Sequence, residues 1–374
     1  MWLLILGLVL FIGLVLVHEW GHYIVARRNG VEVEEFGLFF PPRAKVLAKR
    51  NGTEYTLNWL PLGGFVKLKG ENDADTRPGT FGAATTWVKA KIMLAGVAMN
   101  LVTAFVLLTL LAAIGMPKLI DNQFTVASDT KIIKQDVVAG HVSEKSPAEK
   151  AGLVRGDVLK SIGKSGQASS DVITSPDDLP KITKKYAGEK VDITYVRAGQ
   201  KKTTTAMLLT QKEVDKSRNS NQPKGYLGIS PTEYTVQRST WSAPIVAAGL
   251  IKQLTLLTFQ GLGTVISSLF HGDAQKASEQ VSGPIGIFVV MRDGSIFGIE
   301  FLLLIIAVIS LSLAIMNALP IPALDGGRLF VLLASRALKR PLTKEVEEWI
   351  HGVGFLFLIG LIVLISIVDV NRFF

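Results

Sequence analysis

Residues 1–26 read MWLLILGLVLFIGLVLVHEWGHYIVA, an apolar run that carries His18, Glu19 and His22 near its end. A run of this length crosses a bilayer as a helix, at about 1.5 Å per residue over an apolar core of about 30 Å. On that helix His18 and His22 are four residues apart and share one face. Ionisable groups inside a span are unfavourable unless they have a partner or a function. The stretch therefore predicts a membrane protein with a polar or metal site in its first span.

The composition of the whole chain agrees with a membrane protein. Of 374 residues, 48% are hydrophobic and only 19% are charged, which predicts several spans. The chain has a net charge of +9. In a membrane protein the excess Lys and Arg residues are expected at the span ends, where they set orientation and contact anionic lipid. No basic stretch is interleaved with base-stacking aromatic residues, so we expect no nucleic-acid binding. The sequence contains no cysteine, which excludes thiol nucleophiles, disulfides and Cys-ligated zinc.

The apolar segments predict an α-helical membrane protein with four transmembrane helices, at residues 1–26, 92–116, 299–319 and 353–368. Arg27 and Arg28 predict a cytoplasmic end for the first span, and the basic residues around the other spans agree with this orientation. The N-terminus lacks a basic n-region, so we expect a retained span and not a cleaved signal peptide.

Segment 243–270 is apolar and long enough to span, but it carries Lys252 and several Gln, Thr and Ser residues. If it crossed, residues 317–327, which hold a candidate metal ligand described below, would lie on the side of the membrane opposite His18 and His22. We therefore predict that it is an interfacial amphipathic helix along the outer leaflet.

Two segments between the spans predict folded structure outside the bilayer. Residues 31–70 contain short alternating stretches punctuated by Gly and Pro, which predicts a membrane-surface β region with a hairpin. Residues 125–232 are polar and predict one extracytoplasmic α+β domain. Within it, Ser146 followed by Pro147 predicts a helix start, and strands are expected at 190–197 and 203–209.

The histidine spacing in the first span allows both imidazoles to bind one zinc ion, with Glu19 close enough to hold the bound water. A chance match, or two histidines satisfied in a helix bundle, is the alternative. A third ligand is offered by Asp325 in NALPIPALDGG, residues 317–327. Its two prolines break the helix, and Gly326 and Gly327 allow a tight turn beside the carboxylate. An ordinary helix-ending turn with a solvated Asp is the alternative here.

HEWGH in the first span and NALPIPALDGG after the third resemble the site-2 protease family, specifically the bacterial sigma-factor-regulating members that carry a PDZ domain. The resemblance covers essentially the whole chain in order. It implies that His18, His22 and Asp325 bind Zn²⁺, that Glu19 is the general base and that Asn317 helps to hold the substrate or the developing oxyanion. It also implies an inner (plasma) membrane protein with its active site near the cytoplasmic side.

The resemblance further implies a substrate-binding loop. Gly63, Gly64, Phe65 and Val66 correspond to a family segment that pairs with an unwound substrate helix by strand addition, and a plain edge strand is the alternative. The second span departs from the family, which often has Gly-Pro-x-x-Asn where this chain reads GVAMN, ending at Asn100. Asn100 is predicted to contact the site or the substrate, and a simple interhelical hydrogen bond is the alternative.

Residues 137–163 resemble the core of a PDZ domain, and GYLGI at 225–229 resembles its carboxylate-binding loop. The loop comes at the end of the domain, which implies a circularly permuted PDZ-like fold. Such a domain binds a peptide or a free C-terminus, or it acts as a size filter that excludes substrates with large external domains.

The predicted function is that of a zinc-dependent intramembrane endopeptidase that cleaves single-pass transmembrane proteins in regulated intramembrane proteolysis. By resemblance, its substrates are anti-sigma factors or remnant signal peptides. The alternatives are a catalytically inactive PDZ scaffold and a transporter, and we find no internal repeats typical of the latter. His141, His271 and His351 have no metal-spaced partner, so surface or interfacial roles are expected for them.

Overall fold

The computed structural model describes residues 2–71, 75–218, 223–340 and 342–373. Met1 of the first predicted span and residues 219–222 of the predicted external domain lie outside the described residues. In chain order the elements are α1 (Trp2–Arg28), β1 (Val33–Arg50), β2 (Thr53–Leu68), α2 (Thr86–Ile114), β3 (Met116–Pro117), β4 (Lys131–Val142), α3 (Pro147–Lys150), β5 (Val158–Lys164), β6 (Asp171–Val172), α4 (Asp178–Lys185), β7 (Lys190–Arg197), β8 (Gln200–Met207), α5 (Gln211–Ser217), β9 (Ile229–Arg238), α6 (Ala243–Phe270), α7 (Ala274–Glu279), α8 (Pro284–Gly294), α9 (Ile299–Ala318), α10 (Asp325–Ala337) and α11 (Lys344–Phe373). The chain divides into two compact units, one formed by Met1–Leu111 with Ser242–Phe374 and the other by Ala112–Trp241.

Among the described residues, five helices are long and apolar enough to cross a membrane by length and composition: α1, α2, α6, α9 and α11. The helix α9 coincides closely with the predicted span 299–319, whereas α11 is much longer than the predicted 353–368. The reason is that hydropathy marks only the apolar part of a helix. The polar turn around Glu345 and Glu347 continues the same helix in front of it.

Helices α1 and α9 pack side by side and run in the same direction. A Cβ atom at Gly7 would lie 2.9 Å from Leu302 Cδ1, and further along both helices Leu14 shares a buried cluster with Ile305. The C-terminal ends of α1 and α9 therefore lie at the same end of the unit.

Helix α2 crosses α1 at close range in the opposite direction. A Cβ atom at Gly21 would lie 2.7 Å from Ala95 O, and the next contact along α2 joins Asn100 to His18. The hydroxyl of Ser310 on α9 donates to Asn100 O at 2.8 Å, so the three helices meet around the HEWGH segment.

Strands β1 and β2 form a two-stranded antiparallel sheet with several register shifts. Their turn is Asn51-Gly52, in which both residues have positive φ (52° and 82°), as a type I′ hairpin turn requires. Leu38 pairs with Gly64 and also with Leu57, so residues 33–38 lie between the two parts of β2. The short strands expected in 31–70 are thus segments of two long, bent strands.

The second unit is built on a seven-stranded sheet in the order β3-β9-β4-β5-β7-β8, with β6 paired to β5. The predicted helix start is confirmed: Ser146 caps α3 by accepting a hydrogen bond from Glu149 N, and Pro147 follows at the first helical position. The strand predicted at 190–197 coincides with β7, and β8 begins three residues before the predicted 203–209 because its hairpin turn is shorter. A buried Asp157 accepts two hydrogen bonds from the Arg197 guanidinium, at 2.6 and 2.7 Å.

Candidate active site

The break between α9 and α10 brings Asp325 to the ends of the apolar helices. Helix α9 ends at Ala318, and α10 begins at Asp325 after a turn that holds the two prolines. Within that turn Ala323 has a positive φ of 75°, and its N–H donates to His351 Nδ1 at 3.4 Å. The surface or interfacial role expected for His351 is therefore incomplete, because this side chain also holds the segment before Asp325 in place.

Gly326 and Gly327 have a different role from the predicted tight turn. Both lie in the first turn of α10 with ordinary φ, and neither belongs to the positive-φ glycines of the described chain. A Cβ atom at Gly326 would overlap Ala318 O, and one at Gly327 would overlap Ile321 O. These glycines allow the backbone of α10 to approach the end of α9, which places Asp325 beside α1.

The three side chains predicted as zinc ligands converge at one point. His18 Nε2 and His22 Nε2 are 3.2 Å apart, and Asp325 Oδ2 lies 3.1 Å from His18 Nε2 and 3.2 Å from His22 Nε2. Ligand atoms bound to one tetrahedral zinc at about 2.0–2.1 Å are about 3.3 Å apart, so this triangle has the size that zinc requires. Asp325 Oδ2 is buried and accepts no hydrogen bond from any residue that the structure describes. A cation bound among the three atoms would satisfy that oxygen.

The outer nitrogens of both histidines are held by α2. His22 Nδ1 lies 2.7 Å from Ile92 O and donates to it, which leaves Nε2 with a free lone pair for a metal. His18 Nδ1 lies 3.1 Å from the side-chain amide of Asn100. In the zinc-binding tautomer His18 Nδ1 carries the proton and needs an acceptor, which Asn100 Oδ1 supplies after a 180° rotation of the amide. That oxygen otherwise has no hydrogen bond within the described chain.

Asn100 therefore contacts the site and not the open space around it. Its exposed fraction is 0%, and its contact with the substrate stays a prediction. The missing proline leaves α2 continuous through this region, so the amide reaches His18 from an uninterrupted helix.

Gly96 is a site residue that the sequence did not reveal as one. A Cβ atom there would lie 2.5 Å from both His18 Cε1 and His22 Nε2, so only glycine lets α2 pass behind the two rings. Gly96 opens the GVAMN segment, but a glycine in an apolar helix has many ordinary explanations in packing, and the segment singles out Asn100 and not Gly96 as a contact of the site.

Glu19 lies between the histidines and the surface sheet. It follows His18 directly on α1 and is thus part of the same helical turn as the two histidines. On its other side, a Cβ atom at Gly64 would lie 3.4 Å from Glu19 Cγ. The arrangement can therefore hold a water molecule against a metal ion and place a peptide strand next to it.

The other predicted substrate residues lie in β2 and in the last turn of α9. Residues Gly63 to Val66 form the part of β2 that pairs with β1 on one side, and Gly64 is buried against α1. Asn317 lies in the last turn of α9, where its side-chain N–H donates to Leu313 O at 3.0 Å.

Sequence comparison agrees with this geometry. A model of peptidase family M50 matches residues 6–361. A protein of Clostridium perfringens named as a candidate zinc metalloprotease is 30% identical over 369 residues, which covers 98% of each chain. A protein of Clostridium acetobutylicum with the same kind of name is 30% identical over 370 residues, covering 98% of this chain and 97% of the relative. The zinc metalloprotease RasP of Shouchella clausii is 26% identical over 446 residues, covering 98% of each chain. The chain thus belongs to peptidase family M50, the site-2 protease family, and is a zinc metalloendopeptidase with several membrane-spanning helices.

Proposed function

We propose that this metalloendopeptidase cleaves single-pass membrane proteins within or near their transmembrane segments. The observation that carries the proposal is the convergence of His18, His22 and Asp325 at the ends of two parallel apolar helices. A metal site in this position meets peptide bonds at the depth of the membrane and not in a soluble cleft.

In this proposal His18, His22 and Asp325 would hold the zinc ion, which when bound would supply an acidified water and polarise the substrate carbonyl. Glu19 would accept the proton of the attacking water and pass it to the leaving amine as the peptide C–N bond breaks. Asn317 must turn its amide away from Leu313 O to stabilise the developing oxyanion.

A substrate helix has to unwind before its backbone can reach the metal, and unwound peptide groups have no water to bind inside a bilayer. The segment Gly63–Val66 lies next to Glu19 through Gly64. Its backbone groups are proposed to pair with the substrate by strand addition, which holds the scissile bond extended at the site.

The proposed membrane arrangement has four spans (α1, α2, α9 and α11), with α6 along the outer surface. Gly261 lies about 27 Å along α6 from Ala243, far enough to reach the opposite surface if α6 crossed. A Cβ atom at Gly261, however, would lie 3.7 Å from Gln280 Oε1. Shortly after Gln280, the N–H groups of Gly283 and Gly286 both donate to Asp369 Oδ2.

Asp369 belongs to the end of α11 that lies away from the metal site. Near the other end of α11, a Cβ atom at Gly354 would lie 2.5 Å from Pro322 Cβ, in the turn before Asp325. The far part of α6 thus lies near the membrane face opposite the metal site. Because α6 directly follows the segment that is predicted to be external, a position of Gly261 near the face opposite the metal site supports an α6 that lies along the membrane.

The basic residues Arg27 and Arg28 end α1 and support a cytoplasmic location for the metal site, in the plasma membrane of a bacterial cell. In this orientation the second unit is extracytoplasmic. The Lys and Arg residues at the span ends contact anionic lipid.

We propose that the second unit is a circularly permuted PDZ-like domain. Its candidate carboxylate-binding loop ends at Gly228 (φ 79°) and is held against α3 by the hydrogen bond from Ala148 N to Leu227 O at 3.0 Å. Among the described strands, β9 pairs with β4 along its length and with β3 only at Val236 and Gln237. The other edge of β9, next to the loop, is thus open for a peptide or a free C-terminus. Exclusion of large substrates is the alternative role of this domain.

The substrates that fit the family resemblance are anti-sigma factors or remnant signal peptides in regulated intramembrane proteolysis. The competing hypothesis is an inactive PDZ scaffold. It is disfavoured by the complete ligand triangle and by the position of Glu19 beside it.

The test compares wild type, Glu19→Gln and the control Glu144→Gln in liposomes that contain a single-pass model substrate, with zinc measured in each sample. Glu144 is an exposed acidic residue of the external unit. We expect Glu19→Gln to retain zinc but to lose cleavage by at least about 10³-fold, whereas Glu144→Gln cleaves like wild type. Cleavage by Glu19→Gln at the wild-type rate contradicts the proposal, and so does a wild type that binds zinc but leaves the membrane substrate intact.

A further inference from the structure

We propose that Arg328 and Glu71 form a positioning pair, which fixes the helix carrying Asp325 against the strand carrying Gly63–Val66. The inference rests on the proposed substrate-binding role of that strand. In this proposal the two residues set the distance between the metal and the bound peptide.

Arg328 lies one helical turn after Asp325 on α10. Its Nη1 donates to Glu71 Oε1 at 2.7 Å, and its Nη2 donates to Glu71 O at 3.2 Å. The guanidinium thus binds both the side chain and the backbone of one residue. Such a two-point, charge-assisted contact restricts orientation more strongly than a single hydrogen bond.

Glu71 lies three residues after the end of β2, the strand that passes Glu19. The end of this strand is anchored on the sheet side, where Lys69 N donates to Glu32 O at 2.9 Å and Phe81 N donates to Lys69 O at 2.8 Å. The contact to Arg328 anchors the same end on the side of α10.

The pair therefore completes a closed path around the site. One part runs from Arg328 along α10 to Asp325, and the other runs from Glu71 back along β2 to Gly64 beside Glu19. If the pair is lost, α10 and the strand keep the buried apolar cluster that Leu332 shares with Leu68, but they lose the polar contact that fixes their spacing. A displacement of about 1 Å between a substrate and a reacting group lowers catalysis by up to about 10²-fold.

The experiment uses the full-length protein in detergent or liposomes. The variants are Arg328→Gln, Glu71→Gln and the charge swap Glu71→Arg/Arg328→Glu. The matched control is Lys69→Gln, which removes the ion pair between Lys69 Nζ and Glu32 Oε2 (2.8 Å) at the end of the same strand without touching α10. For each protein, zinc content, thermal unfolding, kcat and KM for a membrane substrate are measured.

We expect Arg328→Gln and Glu71→Gln to keep one zinc per chain and to lose about 10- to 100-fold in kcat/KM. The charge swap recovers part of that loss, and Lys69→Gln is unchanged. Wild-type kcat/KM in both single variants overturns the inference. So does a loss of activity that only parallels a loss of zinc or of folded protein, because it shows a purely structural role.

A second measurement, of a distance between two spin labels, does not depend on protease activity. The chain has no cysteine, so spin labels placed at Lys67→Cys and Ala337→Cys, both exposed, report the distance between the strand and α10. The inference expects a broader distance distribution in Arg328→Gln than in Lys69→Gln, and equal widths overturn it. If wild type fails to cleave any membrane substrate, the proposed function fails, while the spin-label comparison still decides whether the pair fixes the spacing.

Discussion

Replacement of Gly96 by alanine tests the geometry of the metal centre with a single methyl group. The new Cβ atom would lie 2.5 Å from His18 Cε1 and from His22 Nε2, whereas carbon atoms in ordinary contact are about 3.5–4.0 Å apart. Both rings, or α2 itself, must therefore retreat by about 1 Å. Zinc ligation tolerates deviations of about 0.2 Å, so we expect zinc affinity to fall by at least about 100-fold, equal to about 2.7 kcal/mol.

Helix propensity predicts that the same substitution stabilises α2, so the two effects of alanine can be told apart. In the interior of a helix, alanine is favoured over glycine by about 1 kcal/mol, so helix propensity alone predicts that Gly96→Ala is stabilising. The control is Gly13→Ala in α1, where an added Cβ meets no described atom within 4 Å. We expect Gly13→Ala to keep wild-type zinc affinity with equal or higher stability.

The assay is a competition for zinc between the purified protein and a chromogenic chelator, combined with cleavage of a membrane substrate. Thermal unfolding in the same detergent shows whether each variant is folded. If Gly96→Ala binds zinc and cleaves like wild type, the two histidines do not ligate zinc in the arrangement described, and the reasoning is refuted.

Three further predictions concern other parts of the chain. Asn100→Leu removes the partner of His18 Nδ1, so zinc affinity should fall about 10- to 100-fold in the same competition assay, and an unchanged affinity contradicts the amide rotation. Asp157→Asn leaves the Arg197 guanidinium without its carboxylate, so chemical denaturation of the external unit should show a loss of about 2 kcal/mol, and a change below about 0.5 kcal/mol refutes this role. If α6 lies along the outer surface, single cysteines at Lys252 and His271 both react with a membrane-impermeant maleimide added outside the cell, whereas protection of position 271 indicates a crossing helix.

The sequence indicates the three candidate ligands because their signals are local, and the family resemblance implies that they form one zinc site. His18 and His22 share a helix face by their spacing, and Asp325 stands out as a carboxylate next to a helix break in an apolar region. The residues that support the triangle are not predictable in this way. Gly96 and Arg328 gain their roles only from helices and strands that meet in three dimensions.

The same distinction explains the errors at the level of the fold. Hydropathy locates α9 closely, but it misses the polar first turns of α11, which continue the helix beyond its apolar part. The glycines after Asp325 were expected to form a turn, because glycine is common in turns. They are instead required by the contact between α10 and the end of α9, which depends on the tertiary fold.

The central claim is that His18, His22 and Asp325 bind one zinc ion. Zinc-edge X-ray absorption of the purified wild type and of Asp325→Ala tests it most directly. We expect one zinc per chain with two imidazoles and a further oxygen ligand at about 2.0–2.2 Å in wild type, and a loss of zinc or of one oxygen ligand in Asp325→Ala. A zinc spectrum without imidazole ligands, or an identical spectrum and zinc content in Asp325→Ala, contradicts it.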